Sequence, residues 1–232
     1  MRSEILKKIV PEKLKRIARQ LINFKILSVD YAQYKTISNW ECVDRKGNEI
    51  GWYTYPAIEY LNNLDFSQKS IFEYGSGNSS IFWAKKSKNI ISIEHDEKWF
   101  NKVKSNLREN QTLLLKTNEG YENSISEENK NFDVVVIDGI RRVECSKVIQ
   151  GRLNKDSDEG FMIILDNSER YKDTSRYLRE EFGLIEVDFH GFGPINGYTW
   201  TTSIFLSRNF NFKPNNGIQP HFPISGIIGY GE

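Results

Sequence analysis

A pair of glycines followed at a distance by a carboxylate carries the chemistry most directly readable in this chain. Ile71-Phe72-Glu73-Tyr74-Gly75-Ser76-Gly77-Asn78-Ser79-Ser80 runs from a strand pattern through a glycine turn into a helix start, and Ile90-Ile91-Ser92-Ile93-Glu94 is a second strand ending in an acid. Gly75 and Gly77 accept φ > 0 and, lacking Cβ, let the main chain press against a ligand. The helix that follows aims unpaired N–H groups at the same spot. Glu94, nineteen residues after Gly75, is spaced to accept hydrogen bonds from both ribose hydroxyls of a nucleoside. The competing reading of a lone glycine pair is a tight turn, but strand, glycines, helix and acid in this order favour a nucleoside pocket.

The details separate two cofactor classes. A dinucleotide site normally carries a third glycine for close helix packing, and Ser80 stands there instead. An acid two positions before the first glycine suits a ligand ending in an ammonium rather than a pyrophosphate. Glu-x-Gly-x-Gly at 73–77 resembles the first motif of class I S-adenosylmethionine-dependent methyltransferases, and Ser-Ile-Glu-His-Asp at 92–96 resembles their second, over about residues 50–207. The resemblance implies a Rossmann-like α/β fold with a mostly parallel seven-stranded sheet, an antiparallel last strand and helices on both faces. It also implies S-adenosylmethionine as cofactor, held by Glu73, Gly75, Ser76, Gly77, Ser79, Ser80, Glu94 and His95. In such enzymes the segment ahead of the first strand closes over the cofactor, which nominates Tyr55, beside Tyr53, with core packing as the alternative. Asn118, leaving the third strand, stands where an adenine amino group is held; a loop cap is the alternative.

Two further strands end in acids. Phe132-Asp133-Val134-Val135-Val136-Ile137-Asp138-Gly139 and Gly160-Phe161-Met162-Ile163-Ile164-Leu165-Asp166-Asn167 have the continuous apolar pattern of parallel strands buried on both faces. Ligands of open parallel sheets bind outside the carboxyl ends of the strands, where these acids fall. Two carboxylates and an amide oxygen are ligands for Mg2+, and Asp138, Asp166 and Asn167 also resemble the metal site of cation-dependent O-methyltransferases of the catechol, caffeoyl-CoA and macrolide-sugar types. Alternatively, Asp166-Asn167 cap a helix and Asp138 binds the cofactor or a loop amide. Without a metal, Asp138 or His190 is the general-base candidate. Arg141, Arg142 and Arg170 follow the acids, and one of them is expected to clamp an anionic group of the substrate; Arg141 is taken as that residue.

The surrounding elements position these groups. Strands are expected at 70–74, 89–94 and 112–116, helices near 79–87, 97–109 and 173–182, and a closing antiparallel pair at 184–189 and 199–206. Residues 190–198, rich in glycine and aromatics, form either a lid or a hairpin tip. At 232 residues with 38% apolar and 27% charged side chains, the chain suits a single catalytic domain over 51–207. A helical, basic extension over 1–50 precedes it, and a tail over 208–232 packs on the domain or on a partner subunit, the latter giving a homodimer. Cys42 and Cys145 match no metal or disulfide pattern, and with no secretory signal the expectation is a cytoplasmic protein.

Residues 1–25 hold eight basic groups against two acids, a net +6, which leaves the remainder of a chain of total charge +1 at −5. A mildly acidic body disfavours nucleic acid as the main substrate. In the basic segment, Ile5, Ile9, Leu14, Ile17, Leu21 and Ile22 approximate one helical face, interrupted by Pro11. That face suits either peripheral contact with an anionic membrane, at the inner membrane surface, or docking on its own domain. The expected function is O-methylation of a small polar or anionic acceptor such as a sugar or glycan precursor. The alternatives are an aminopropyl- or N-methyltransferase on the same fold, and a non-catalytic nucleoside-binding scaffold.

Overall fold

The apolar runs that dominate the middle of the sequence become the strands of one sheet. In the computed structural model, which describes residues 11–227, these are β1 (Ser70–Tyr74), β2 (Asn89–Glu94), β3 (Gln111–Leu115), β4 (Val134–Ile137), β5 (Met162–Asp166), β6 (Ile185–Gly191) and β7 (Trp200–Leu206). Their order is β3-β2-β1-β4-β5-β7-β6. The first five pair in parallel, while β7 runs antiparallel to both β5 and β6. This is the Rossmann-like sheet that the sequence led us to expect.

Because successive strand residues face opposite sides, an uninterrupted apolar strand needs cover on both. Val134 and Val136 of β4 join one core with Tyr53, Leu61, Phe66, Trp83 and Ile164, while Val135 and Ile137 join another with Phe72, Tyr121, Cys145, Ile163 and Leu178. The first core is covered by α3 (Tyr55–Asn62) and α4 (Asn78–Ala84), and the second by α6 (Arg142–Val148) and α7 (Lys172–Glu180). Each fully buried Val, Leu, Ile or Phe is worth about 1.5–3 kcal/mol relative to exposure. The helix expected over 97–109, α5 (Glu97–Lys104), stops early. Ser105 Oγ donates to Lys102 O at 2.8 Å, a side-chain bond that competes with helical propagation.

Helices α1 (Glu12–Lys25) and α2 (Gln33–Asn39) precede the sheet, joined by one π-helical stretch. The end of the expected extension belongs to the domain: Cys42 and Ile50 sit in the same core as Tyr53 and Trp83. The tail packs on its own domain: Phe212 meets Phe66 edge-on at 5.8 Å, Asn215 N donates to Asn63 O at 2.7 Å, and Ser225 Oγ donates to Asp30 Oδ2 at 2.7 Å. Ile5 and Ile9 lie outside the described residues.

The loop between β6 and β7 is held from two sides. Tyr55 N donates to Phe192 O at 2.7 Å, and the Ile195 N–H donates to Thr36 Oγ1 of α2 at 2.8 Å. Gln33 Nε2 adds a bond to Asn196 O at 3.3 Å. These contacts tie residues 192–196 to the body of the protein.

Candidate functional site

A cavity of about 680 Å³ opens at the carboxyl ends of β1, β2, β4 and β5. Its floor is two glycines pressed together. A Cβ on Gly75, whose φ is +103°, would lie 3.1 Å from Gly139 N, and one on Gly139 would lie 2.9 Å from Gly75 N and 2.1 Å from Tyr121 Oη. Real Cβ atoms do not come as close as that to the Gly75 backbone, and at Gly75 the positive φ strains any side chain, so both turns favour glycine where β1 and β4 end side by side.

On this floor stand the acids. Glu73, 1% exposed, accepts hydrogen bonds at Oε2 from Ser80 Oγ and, at 2.8 Å, from Ser92 Oγ; its Oε1 has no hydrogen-bond partner among the described residues. Burial pushes its carboxyl up to about 7, although the hydroxyls of Ser79, Ser80 and Ser92 favour the ion. Glu94 accepts at Oε1 from the N–H groups of His95 and Asp96, at 2.8 and 2.9 Å, and at Oε2 from Ser76 Oγ at 2.7 Å. Backbone therefore aims one Glu94 oxygen, while a movable hydroxyl occupies the other. His95 Nδ1 lies 3.0 Å from Glu94 Oε1.

At the other end of the cavity, one guanidinium organises the ends of β4 and β5. Arg142 donates from Nη2 to Asp138 Oδ1 and Asp138 O at 2.9 and 2.8 Å, and from Nε to Gly139 O at 2.9 Å. Its Nη1 donates to Asp166 O and, at 3.3 Å, to Asn167 Oδ1. The ring of Tyr171 lies 5.4 Å from the guanidinium carbon. Asp166 is turned toward β7, accepting at Oδ1 from Trp200 Nε1 at 3.0 Å and from Thr202 Oγ1 at 2.6 Å. The antiparallel register that sets Asp166 opposite Thr202 makes this possible.

This arrangement corrects the expected metal set. A cation already lies among Asp138, Asp166 and Asn167, and Asp166 Oδ1 is spent on two donors. The residues present do not fit Mg2+. Burial raises Asp138 to about 6 against the pull of Arg142. Asp166 is held well above the usual carboxylate range, by burial first and then by the charge of Asp138.

The cavity walls bring together Glu73, Gly75, Ser76, Ser79, Glu94, His95, Asp138, Asp166 and Asn167 of the residues expected from sequence. Others stand apart. Gly77 borders a neighbouring cavity, and Ser80 is fully buried, where it supports Glu73 and accepts from Gly77 N at 3.1 Å. Tyr55 lines a different cavity of about 360 Å³ with Tyr31 and Glu59, and Tyr53 is buried under Trp83, whose Nε1 donates to its hydroxyl at 3.0 Å. Asn118 is exposed outside the walls. His190 is outside them too, with Nδ1 2.7 Å from Thr201 Oγ1. Arg141 turns away to Glu122 at 3.0 Å, so the arginine facing the cavity between the strand ends is Arg142, with Arg170 at the rim.

Aromatic side chains from scattered segments complete the mouth: Trp40, Trp52, Trp99 and Tyr198. At four-residue spacing Trp99 shares a helix face with the buried Val103, yet it is 39% exposed and donates from Nε1 to Ser76 O at 2.8 Å, bracing the glycine turn. A signal for this was present in Asp96, whose Oδ1 caps α5 by accepting from Trp99 N at 2.7 Å and so fixes the first turn against the loop. Trp40, at a left-handed position after α2, gave no periodic signal.

No protein-family model matches the sequence, and no curated protein does. Solved structures match the fold. A Streptococcus mutans protein described as a methyltransferase, determined in complex with SAH, aligns at 12% identity with a TM-score of 0.50, over 68% of this chain and 100% of its own. A precorrin-6Y C5,15-methyltransferase from Geobacter metallireducens aligns at 15% identity with a TM-score of 0.52, over 65% of this chain and 86% of its own. At these identities the likeness is one of fold, and the fold is the Rossmann-like architecture of methyltransferases.

Proposed function

We propose that the protein is an S-adenosylmethionine-dependent methyltransferase acting on an oxygen of a small polar or anionic acceptor, such as a sugar or glycan precursor. The observation that carries this reading is that one cavity is walled at once by Glu73, Gly75, Ser76 and Glu94. The residues fit the cofactor: among the described residues Glu73 Oε1 is buried and without a partner, available to an ammonium, and Glu94 Oε2 bonds to the Ser76 hydroxyl alone. A ribose diol would take the place of that hydroxyl, and a nearby ammonium would favour the ionised form of Glu73.

When bound, S-adenosylmethionine supplies an electrophilic methyl group. Transfer to a hydroxyl then needs alignment and removal of one proton. Asp138, raised to about 6 and still 23% exposed in its side chain, is ionised near neutrality and takes that proton. Arg142 holds the carboxylate in place, and Arg170, whose side chain is 61% exposed at the rim, offers a guanidinium to an acidic group on the acceptor. Trp40, Trp52 and Tyr198 provide flat apolar faces for a ring. A cationic acceptor, as aminopropyl transfer requires, is disfavoured by Arg142 and Arg170 in the walls.

Calorimetric titration with S-adenosylhomocysteine tests the cofactor half, and mass spectrometry of carbohydrate extracts incubated with enzyme and cofactor tests the acceptor half. Binding and a mass gain of one methylene unit are expected. Absence of S-adenosylhomocysteine binding would remove the reading, and binding without turnover on any acceptor pool would favour a scaffold.

A further inference from the structure

Helix α1 contains no buried residue. Leu14, Ile17, Leu21, Ile22 and Phe24 are between 47% and 69% exposed, and none belongs to either core cluster. At 3.6 residues per turn these five and Ala18 occupy one arc of about 160°. Docking of this face on its own domain, one of the two expectations from sequence, is therefore absent among the described residues.

The charges decide what covers the arc. Lys13 and Lys15 border its two edges, Lys25 falls within the arc at the last turn, Arg16 and Arg19 lie on the opposite side, and Glu12 is the one acid. Lys15 pairs with Glu12 and Lys25 with Asp30, whereas Lys13, Arg16 and Arg19 form no ion pair among the described residues. A second copy docked on the arc would bring its lysines against the same lysines of the first. An anionic lipid surface instead receives the apolar arc at its acyl boundary while the bordering lysines reach the headgroups. The rest of the chain outside residues 1–25 is net negative, which turns the body away from such a surface. No described helix is long and apolar enough to cross a membrane, so the helix lies in the interface plane.

We propose that α1 is an in-plane anchor seating the protein on an anionic membrane surface. The test is co-sedimentation of the full chain with phosphatidylcholine vesicles and with vesicles containing added phosphatidylglycerol, at physiological and at high salt. The wild type should bind the anionic vesicles, and high salt should weaken that binding. The triple variant Leu14→Ser, Ile17→Ser, Leu21→Ser should bind at least about tenfold less while melting at the wild-type temperature, because all three positions are exposed. Lys13→Glu with Arg16→Glu and Arg19→Glu should erase the preference for anionic over neutral vesicles. Equal partition of the wild type to both vesicle types, or wild-type binding by the serine triple, would overturn the proposal. So would a concentration-dependent dimer in sedimentation velocity that the serine triple abolishes, which would assign the face to a second copy. None of these readouts depends on methyl transfer.

Discussion

Replacing Glu73 with glutamine isolates the electrostatic cost built into the cofactor site. Glu73 is buried, and burial lifts its carboxyl from 4.5 to about 7. Raising the carboxyl that far corresponds to on the order of 3 kcal/mol. The folded-state value lies above the unfolded one, so the native protein binds the proton more tightly. Its contribution to stability is fully present below about pH 4.5 and is lost as pH rises through about 7. Glu73→Gln keeps a carbonyl oxygen for Ser80 and Ser92 and has no charge to bury. The ligand-free variant should therefore be more stable than wild type at pH 8 by up to about 3 kcal/mol, which for a chain of this size is roughly 6–12 °C in melting temperature. The advantage should shrink to near zero at pH 4.5. Urea unfolding of both proteins across this range measures the difference. In the same variant, affinity for S-adenosylhomocysteine should fall by about tenfold or more, because an ammonium loses its charged partner. With wild type near pH 6.5, titrations in buffers of different ionisation enthalpy should reveal proton release on binding. A wild type whose stability relative to the variant does not change between pH 5 and pH 8 would refute the reasoning.

Four other outcomes are expected. Glu94→Ala should weaken S-adenosylhomocysteine binding on the order of 100-fold, read by calorimetry, because two charge-assisted hydrogen bonds to the ribose are lost. The rate of methyl transfer should climb with pH through about 6 as Asp138 ionises, and Asp138→Asn should flatten that limb while lowering turnover by roughly 10²–10⁴. EDTA should leave the rate unchanged, since Arg142 already lies among the three residues that would have held an ion. Gly139→Ala should cost about 1–3 kcal/mol in urea unfolding, because its Cβ would meet the Tyr121 hydroxyl and the backbone of Gly75.

Much of this site is legible in the sequence because periodicity and glycine carry it. The strands leading to Asp138 and Asp166 are marked by unbroken apolar runs, the strand ending at Glu94 by isoleucines around Ser92, and Gly75 marks the turn, so these groups reach one cavity as their order implies. The misses fall where side-chain direction is set by single backbone conformations that no pattern records. Arg141 and Asn167 both adopt the left-handed region, with φ of 51° and 52°. Arg141 is thereby sent out to Glu122, and its neighbour Arg142 is delivered to the space assigned to a metal. Tyr55 begins α3, where its ring packs on Tyr31 at 4.8 Å instead of over the cofactor turn. His190 is spent on Thr201 across the β6–β7 pair. The aromatic mouth was hard to foresee for a different reason: Trp40, Trp52, Trp99 and Tyr198 come from four separate segments and converge only in three dimensions.

A positive charge fastened to the main chain at Arg142 is inherited with the fold itself. It is present from the moment of synthesis, one per molecule, at a fixed position, and no scavenger in the surroundings can carry it off or swap it for another element. Its strength is tuned by the few neighbours that share its donors, Asp138 above all.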